Sequence, residues 1–333
     1  MEKIKNISIT NFKSIKHLEI NDCNKINVFI GMPNAGKSNI LEALGLFGGI
    51  NNLDLFSPIP IKQIVRYTRN SELFFEENIS EKIVLKINTI VTEIISKDEF
   101  KKENSFLDLE NNLGFKNSNL KLPPYKLNEE YLPYIKKYQF LNTNFRESQS
   151  KTILDFPYGQ NLVQILSSNP EFRKTINQLF KNNNLKLLIE KHTNELKIFK
   201  EYQDGTVFTL PYELIADTLQ RLIFYKAAII SNKDSVLLFE EPEAHCFEPY
   251  ILEFTNSVKY DENDNQFFIV THSDFIIQEF LRDEESKLNT NIYLVNNVDG
   301  ETKVKLLDKN KNDDVYEFGM NAFFNFESLW ESN

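Results

Sequence analysis

Ile26-Asn27-Val28-Phe29-Ile30-Gly31-Met32-Pro33-Asn34-Ala35-Gly36-Lys37-Ser38 is the stretch that decides the fold. Its first five residues form a dense apolar run, which reads as a strand buried on both faces. The run stops at Gly31, and residues 31–38 match G-x-x-x-x-G-K-[ST] in full. In that pattern the glycines let backbone N–H groups turn toward phosphate oxygens, the lysine reaches the outer phosphates and the final hydroxyl ligates Mg²⁺. Asn39 then opens a segment that places Ile40, Leu41 and Leu44 on one helix face. A chance glycine turn with a solvent lysine requires neither the strand before it nor the helix after it. Strand, loop and helix together read as a phosphate site that opens an α/β unit.

Working outward, Ile4, Ile7 and Ile9 mark one strand, and Ile15, Leu18 and Ile20 mark a second. The α/β pattern returns after Glu213, with a helix through Ile230, a strand at 236–239, a helix after Pro249, a strand at 267–270 and a helix after Asp274. A hairpin follows, 292–295 with 303–306, across a loop containing Asp299-Gly300. The middle is harder to read: strand-like segments at 82–87 and 138–141 alternate with polar stretches. Asn169-Pro170 starts a helix over 170–181. Strands are expected at 185–189, 195–199 and 206–210, the last two joined by Asp204-Gly205. The expectation is one discontinuous α/β domain, residues 1–50 and 211–333, carrying an inserted α+β subdomain at 51–210 with its own small core.

Composition narrows the function. Hydrophobic residues make up 41% and charged residues 26% of the 333, which excludes a disordered chain, and only 10 Gly and 11 Pro exclude a collagen-like one. With 38 basic against 48 acidic residues the net charge is −10, so any nucleic-acid contact must be a local patch. Cys23 and Cys246 allow at most one bridge, which points to a reducing compartment. His245 adjoins Cys246, but no second pair stands at metal-ligand spacing, so no zinc site is expected. The opening alternates polar and apolar residues and no apolar run is long enough to span a bilayer, so the expectation is a cytoplasmic protein with no membrane contact.

Two further segments end in chemistry. Asp234-Ser235-Val236-Leu237-Leu238-Phe239-Glu240-Glu241-Pro242-Glu243 is an apolar strand closing in carboxylates. A solvated acidic turn is the plain alternative, but a buried strand seldom ends in two acids without a cation nearby. Glu240 is assigned to the metal and Glu241 to general-base work, with Glu243 or His272 next in line as base. Gln266-Phe267-Phe268-Ile269-Val270-Thr271-His272-Ser273 is a second buried strand ending in polar groups. His272 alone would read as a structural histidine; after a strand that follows the carboxylate strand, it reads as a phosphate-facing donor. Phe323, Phe324, Phe326, Leu329 and Trp330 form either a core-docking end helix or a partner surface.

Taken together these segments resemble a known group. Residues 31–38 resemble a Walker A motif, 236–241 a Walker B motif with its catalytic glutamate, and Thr271-His272-Ser273 the switch histidine of ABC-type ATPases. Ile9-Thr10-Asn11-Phe12-Lys13-Ser14-Ile15, the run 26–31 and Asn39-Ile40-Leu41-Glu42-Ala43-Leu44 are similar to the N-terminal lobe of the SMC, RecF and OLD-like group. The likeness covers residues 1–48 and 211–280. It implies a P-loop NTPase fold of the ABC-type head kind: a mixed sheet with flanking helices, here carrying the large α+β insertion. ATP is then contacted by Gly31, Asn34, Ala35, Gly36, Lys37, Ser38 and Asn39, Mg²⁺ by Ser38 and Glu240, and catalysis falls to Glu241 and His272. Many relatives carry Asp where this chain has Glu240; the longer arm keeps the carboxylate and suits a contact through water.

In such families two heads sandwich two ATP molecules, and a signature motif from one head reaches the γ-phosphate held by the other. Here that segment is Leu214-Ile215-Ala216-Asp217-Thr218-Leu219-Gln220-Arg221-Leu222, which lacks the Gly-Gly pair of transporters. Asp217, Thr218 and Arg221 are its candidate trans residues, and Thr218 or Arg221 would make the contact in trans; an ordinary amphipathic helix is an equal reading. Lys13 is either a solvent lysine or one that approaches the nucleotide, and Gln139 has no context that makes it a Q-loop. The resemblance implies a homodimer or higher assembly acting as a nucleotide-gated switch, the ATPase or sensor subunit of bacterial anti-phage defence. Too few residues follow the last head helix for a fused nuclease, so the effector nuclease is expected as a separate protein. The rivals are a RecF-like repair ATPase binding duplex DNA, which would show steep salt dependence, and a transporter energy subunit.

Overall fold

The computed structural model describes residues 3–51, 61–96, 106–107, 113–117, 134–148, 150–180, 184–190, 192–309, 311, 315–316 and 320–332. In chain order the strands and helices begin with β1 (Ile7–Phe12), β2 (Ile15–Ile20), β3 (Ile26–Ile30) and α1 (Lys37–Asn51). Next come β4 (Ile83–Ile87), β5 (Ile90–Ser96), β6 (Phe106–Leu107), β7 (Leu113–Asn117) and β8 (Tyr134–Tyr138). After these are α2 (Leu162–Ser168), α3 (Pro170–Leu179), β9 (Lys186–Glu190), β10 (Glu195–Glu201), β11 (Val207–Pro211) and α4 (Asp217–Ser231). The remainder is β12 (Ser235–Glu240), α5 (Glu248–Lys259), β13 (Gln266–Val270), α6 (Asp274–Leu281), α7 (Glu284–Leu288), β14 (Thr290–Val298), β15 (Glu301–Leu306) and α8 (Phe326–Ser332).

Two compact units result. The first comprises Met1–Lys137, Asp234–Glu241 and Gln266–Asn333. It holds an antiparallel sheet in the order β2-β1-β4-β5-β7-β6 and a mixed sheet in the order β15-β14-β3-β13-β12-β8. Within the mixed sheet β3, β13 and β12 run parallel, as do β14 and β3, whereas β14 and β15 form an antiparallel hairpin. Every residue of β3 and β13 is buried, as their unbroken apolar runs require. The Phe29 ring stacks 5.0 Å from Tyr293 and 6.3 Å from Phe268, tying three neighbouring strands together. Residues 40–48 of α1 are buried all round, and their side chains join β1, β4 and one face of the mixed sheet in one core. The hairpin turns at Asp299 and Gly300, whose φ values of 52° and 84° suit the tight turn that the pair of residues signals.

The second unit comprises Tyr138–Lys233 and Pro242–Asn265. It contains α2 to α5 and the three-stranded antiparallel sheet β11-β10-β9. The Asn169 side chain caps α3 by accepting from Phe172 N–H at 2.9 Å, with Pro170 in the first turn.

The mixed sheet with flanking helices matches the expectation; the division of the chain does not. The segment 82–87, expected inside the insertion, forms β4, which pairs with β1 inside the first unit, Ile7 opposite Ile87. Residues 211–233 and 242–265, expected in the head, fall in the second unit. Strand alternation reveals that a segment pairs, but not with which partner. The strand expected at 138–141 is β8, four residues earlier at its start. The helix expected from Glu213 is a short 3₁₀ turn at Tyr212–Leu214 followed by α4 from Asp217. The expected insertion includes 52–60, 97–105, 108–112 and 118–133, which lie outside the described residues, as does residue 181. No helix among the described residues is long and apolar enough to cross a membrane.

Candidate active site

Because β3, β12 and β13 are parallel, their carboxyl ends gather at one edge of the sheet, where open α/β sheets bind ligands. The loop after β3 carries residues 31–36. Its path needs positive φ at Asn34 (61°) and Gly36 (94°). A Cβ on Gly36 would lie 1.9 Å from Thr302 Oγ1, and one on Gly31 would lie 2.0 Å from the Val295 carbonyl oxygen. The hairpin β14–β15 therefore sets the shape of the loop. Thr302 Oγ1 donates to the Ala35 carbonyl (3.1 Å) and lies 2.6 Å from Ser14 Oγ, which accepts from Asn39 Nδ2 (2.6 Å). Inside the loop, Lys37 Nζ donates to the carbonyls of Gly31 (2.9 Å) and Met32 (2.8 Å). Burial pulls the Lys37 ammonium down to about 8, against the opposing pull of Glu241. A buried cation at the start of a helix, after a glycine-bearing loop, suits polyphosphate.

At the end of β12, Glu240 is mostly buried and hydrogen-bonded by the Ser38 hydroxyl. Lys137 Nζ lies 3.1 Å from its Oε2 and Arg66 Nη2 lies 2.6 Å from its Oε1. Burial alone would raise this carboxyl; Lys137, Ser38 and Arg66 together outweigh it and hold the group below the usual carboxylate range. Glu241 takes φ 46°, an uncommon backbone for glutamate, and its N–H donates to the Val270 carbonyl of β13 at 2.8 Å. That bend turns consecutive acids in different directions. The Glu241 carboxylate meets His272 instead, Oε1 to Nε2 3.6 Å. Burial first, then the Lys37 charge, lowers the His272 pKa despite Glu241, so the imidazole is neutral at pH 7.

Loop 31–39, Glu240, Glu241 and His272, assigned from separate motifs, thus lie in one unit. Asp217, Thr218 and Arg221 lie together in the other, on the first turns of α4. There Arg221 Nε donates to Asp217 Oδ2 at 2.7 Å and the guanidinium stacks 4.7 Å from the Phe140 ring. Gln139 directly follows β8 and is exposed. Lys13 is not a solvent lysine: its ammonium donates to Glu42 Oε2 (2.6 Å) and to the Arg66 carbonyl (2.9 Å). Sequence reading missed Arg66, Lys137, Glu42 and Thr302. The one available signal was Glu42, a charge inside an otherwise apolar helix segment, which demanded cationic partners.

The Ser38 hydroxyl and the Glu240 carboxylate, side by side, are hard oxygen donors that fit Mg²⁺. Among the described residues no group of three or more His, Cys, Asp or Glu could hold a metal ion. That donor set suits an ion which keeps waters and shares substrate phosphates.

A family described as "AAA domain, putative AbiEii toxin, Type IV TA system" matches residues 26–278. The chain belongs to this AAA family. An ATP/GTP phosphatase of Helicobacter pylori is 24% identical over 84% of this chain and 86% of its own length. An uncharacterised protein of Methanocaldococcus jannaschii is 37% identical over 28% of this chain and 30% of its own. Among solved structures, an SMC head bound to the C-terminal winged-helix domain of ScpA aligns over 94% of this chain and 100% of that one, TM-score 0.58 at 14% identity. The SMC head of Pyrococcus furiosus, bound to the C-terminal domain of ScpA, aligns over 96% and 99%, TM-score 0.53 at 13% identity. The AAA family member is thus a P-loop ATPase with the fold of an SMC-type head.

Proposed function

We propose that this ATPase hydrolyses ATP slowly with Mg²⁺, that two copies close on nucleotide as a switch, and that the switch serves a separate effector in bacterial anti-phage defence. The observation that carries the chemistry is the pairing of Glu241 with His272, at the ends of adjacent strands and within electrostatic reach of Lys37. Lys37 exchanges its own loop carbonyls for phosphate oxygens. Ser38 and Glu240 hold the metal, which neutralises phosphate charge. Glu241 accepts a proton from the water whose oxygen attacks the γ-phosphorus as the bond to ADP breaks. Neutral His272 keeps an N–H to donate to the charge that develops on the transferred group. Reading a separate protein partner has support in the family description, which names a toxin of a toxin–antitoxin system, and in the SMC heads solved with a ScpA domain.

Glu241→Gln tests the proposal, because it keeps the shape and removes the proton acceptor. Turnover should fall by about 10²-fold or more, as loss of a general base does, while ATP still binds. Light scattering should then show association with ATP and Mg²⁺ and none without nucleotide. Rapid hydrolysis by the variant would move the base elsewhere, and an inert variant that neither associates nor closes would refute the dimeric switch.

A further inference from the structure

Glu240 is held by two cations, one on each carboxylate oxygen: Arg66 Nη2 at 2.6 Å and Lys137 Nζ at 3.1 Å. Those cations differ in freedom. Lys137 belongs to β8 and its side chain is 3% exposed, whereas Arg66 lies outside the helices and strands with a side chain 66% exposed. Arg66 also has a second anchor: its Nε and its backbone N–H donate to Glu42 Oε1 at 3.0 and 3.3 Å. Glu42 is fully buried on α1 and receives Lys13 on its other oxygen. The outer edge of the guanidinium can therefore leave Glu240 for water while Nε stays with Glu42.

Charge sets the order of events. Among the described residues, Lys13, Arg66 and Lys137 pair with Glu42 and Glu240, three cations on two acids, so the cluster already carries a surplus of positive charge. A bare divalent ion would add to that surplus at a partly desolvated site, which is costly. A triphosphate brings more negative charge than its metal neutralises, so metal and nucleotide arriving together relieve it. We propose that Arg66 is a stand-in cation, tethered by Glu42, that keeps Glu240 closed to free divalent ions and yields it only when the ion comes with nucleotide phosphates. This inference rests on Ser38 and Glu240 as metal donors and goes beyond it by assigning Arg66 and Glu42 a role in the order of binding.

Mn²⁺ is the probe, followed by electron paramagnetic resonance on the full chain without nucleotide. Arg66→Met should bind Mn²⁺ at least about ten-fold more tightly than wild type, a gain expected from freeing one carboxylate partner, and Arg66→Met/Glu240→Gln should lose the gain. Equal Mn²⁺ affinity in wild type and a natively folded Arg66→Met overturns the proposal, as does a gain that survives Glu240→Gln. Should Arg66→Met not fold, Arg66→Gln keeps a polar partner for Glu42 while removing the cation from Glu240, and there too Mn²⁺ affinity must rise. The metal reading is checked apart from Arg66, by Mn²⁺ with ADP: coordination unchanged in Glu240→Gln would remove Glu240 as the metal donor and the proposal with it.

Discussion

Position 272 shows how strongly neighbours decide what a side chain can do. The histidine is only part-buried, but burial and Lys37 both disfavour its protonated form, and Glu241 restores part of the loss. Its pKa therefore lies below the ordinary 6.5. The sign of the linkage follows: between the two values the unfolded chain binds more protons at this site, so the contribution of His272 to stability is lost as pH falls through that window. Two measurements check the assignment. Lys37→Ala should move the His272 titration up toward 6.5 by imidazole NMR, and a titration that stays put removes Lys37 as a cause. His272→Ala should lower kcat far more than it weakens ATP binding, because a donor to developing charge acts mainly in the transition state. An equal loss in both would make His272 a binding or structural residue.

Among elements, the contact of hairpin β14–β15 with the loop after β3 is the most demanding. Gly31 has no room for a methyl group, since the atom it would meet at 2.0 Å is a backbone oxygen of the adjacent strand. Gly31→Ala must displace either strand, so it should cost about 1–3 kcal/mol or more, as overpacking does, and weaken ATP binding as the loop shifts. Urea unfolding and nucleotide titration of one preparation check both effects; wild-type values in each would mean the strands part easily. Thr302→Val keeps the volume and removes the hydroxyl that donates to Ala35. With the contact to Ser14 Oγ lost as well, it should cost about 1–3 kcal/mol, the net worth of two hydrogen bonds, and raise the KM for ATP, whereas an unchanged KM would show that the loop holds its shape unaided.

For the whole molecule, the proposed nucleotide-gated association makes Lys37→Ala and Glu241→Gln opposites. The first removes the phosphate anchor and should remain unassociated with ATP and Mg²⁺. The second retains the anchor and should be trapped in the associated state, with sedimentation velocity separating the two. Identical behaviour of the two variants would detach assembly from nucleotide. The phosphate loop, the acids at 240 and 241 and the histidine at 272 were readable because each lies within a few residues of the apolar strand that presents it. Periodicity and motif spacing are local properties, and the linear sequence carries them in full. The partners of Glu240 were not readable. Arg66 and Lys137 are remote from it along the chain, and they reach it because β4 joins β1 and β8 takes its place beside β12, pairings that no local pattern specifies. So the sequence by itself determined which side chains stand at the strand ends as candidates for phosphate, metal and proton chemistry. The tertiary structure alone decided which charges surround them, since long-range strand pairing and the burial it brings set the electrostatics of the site.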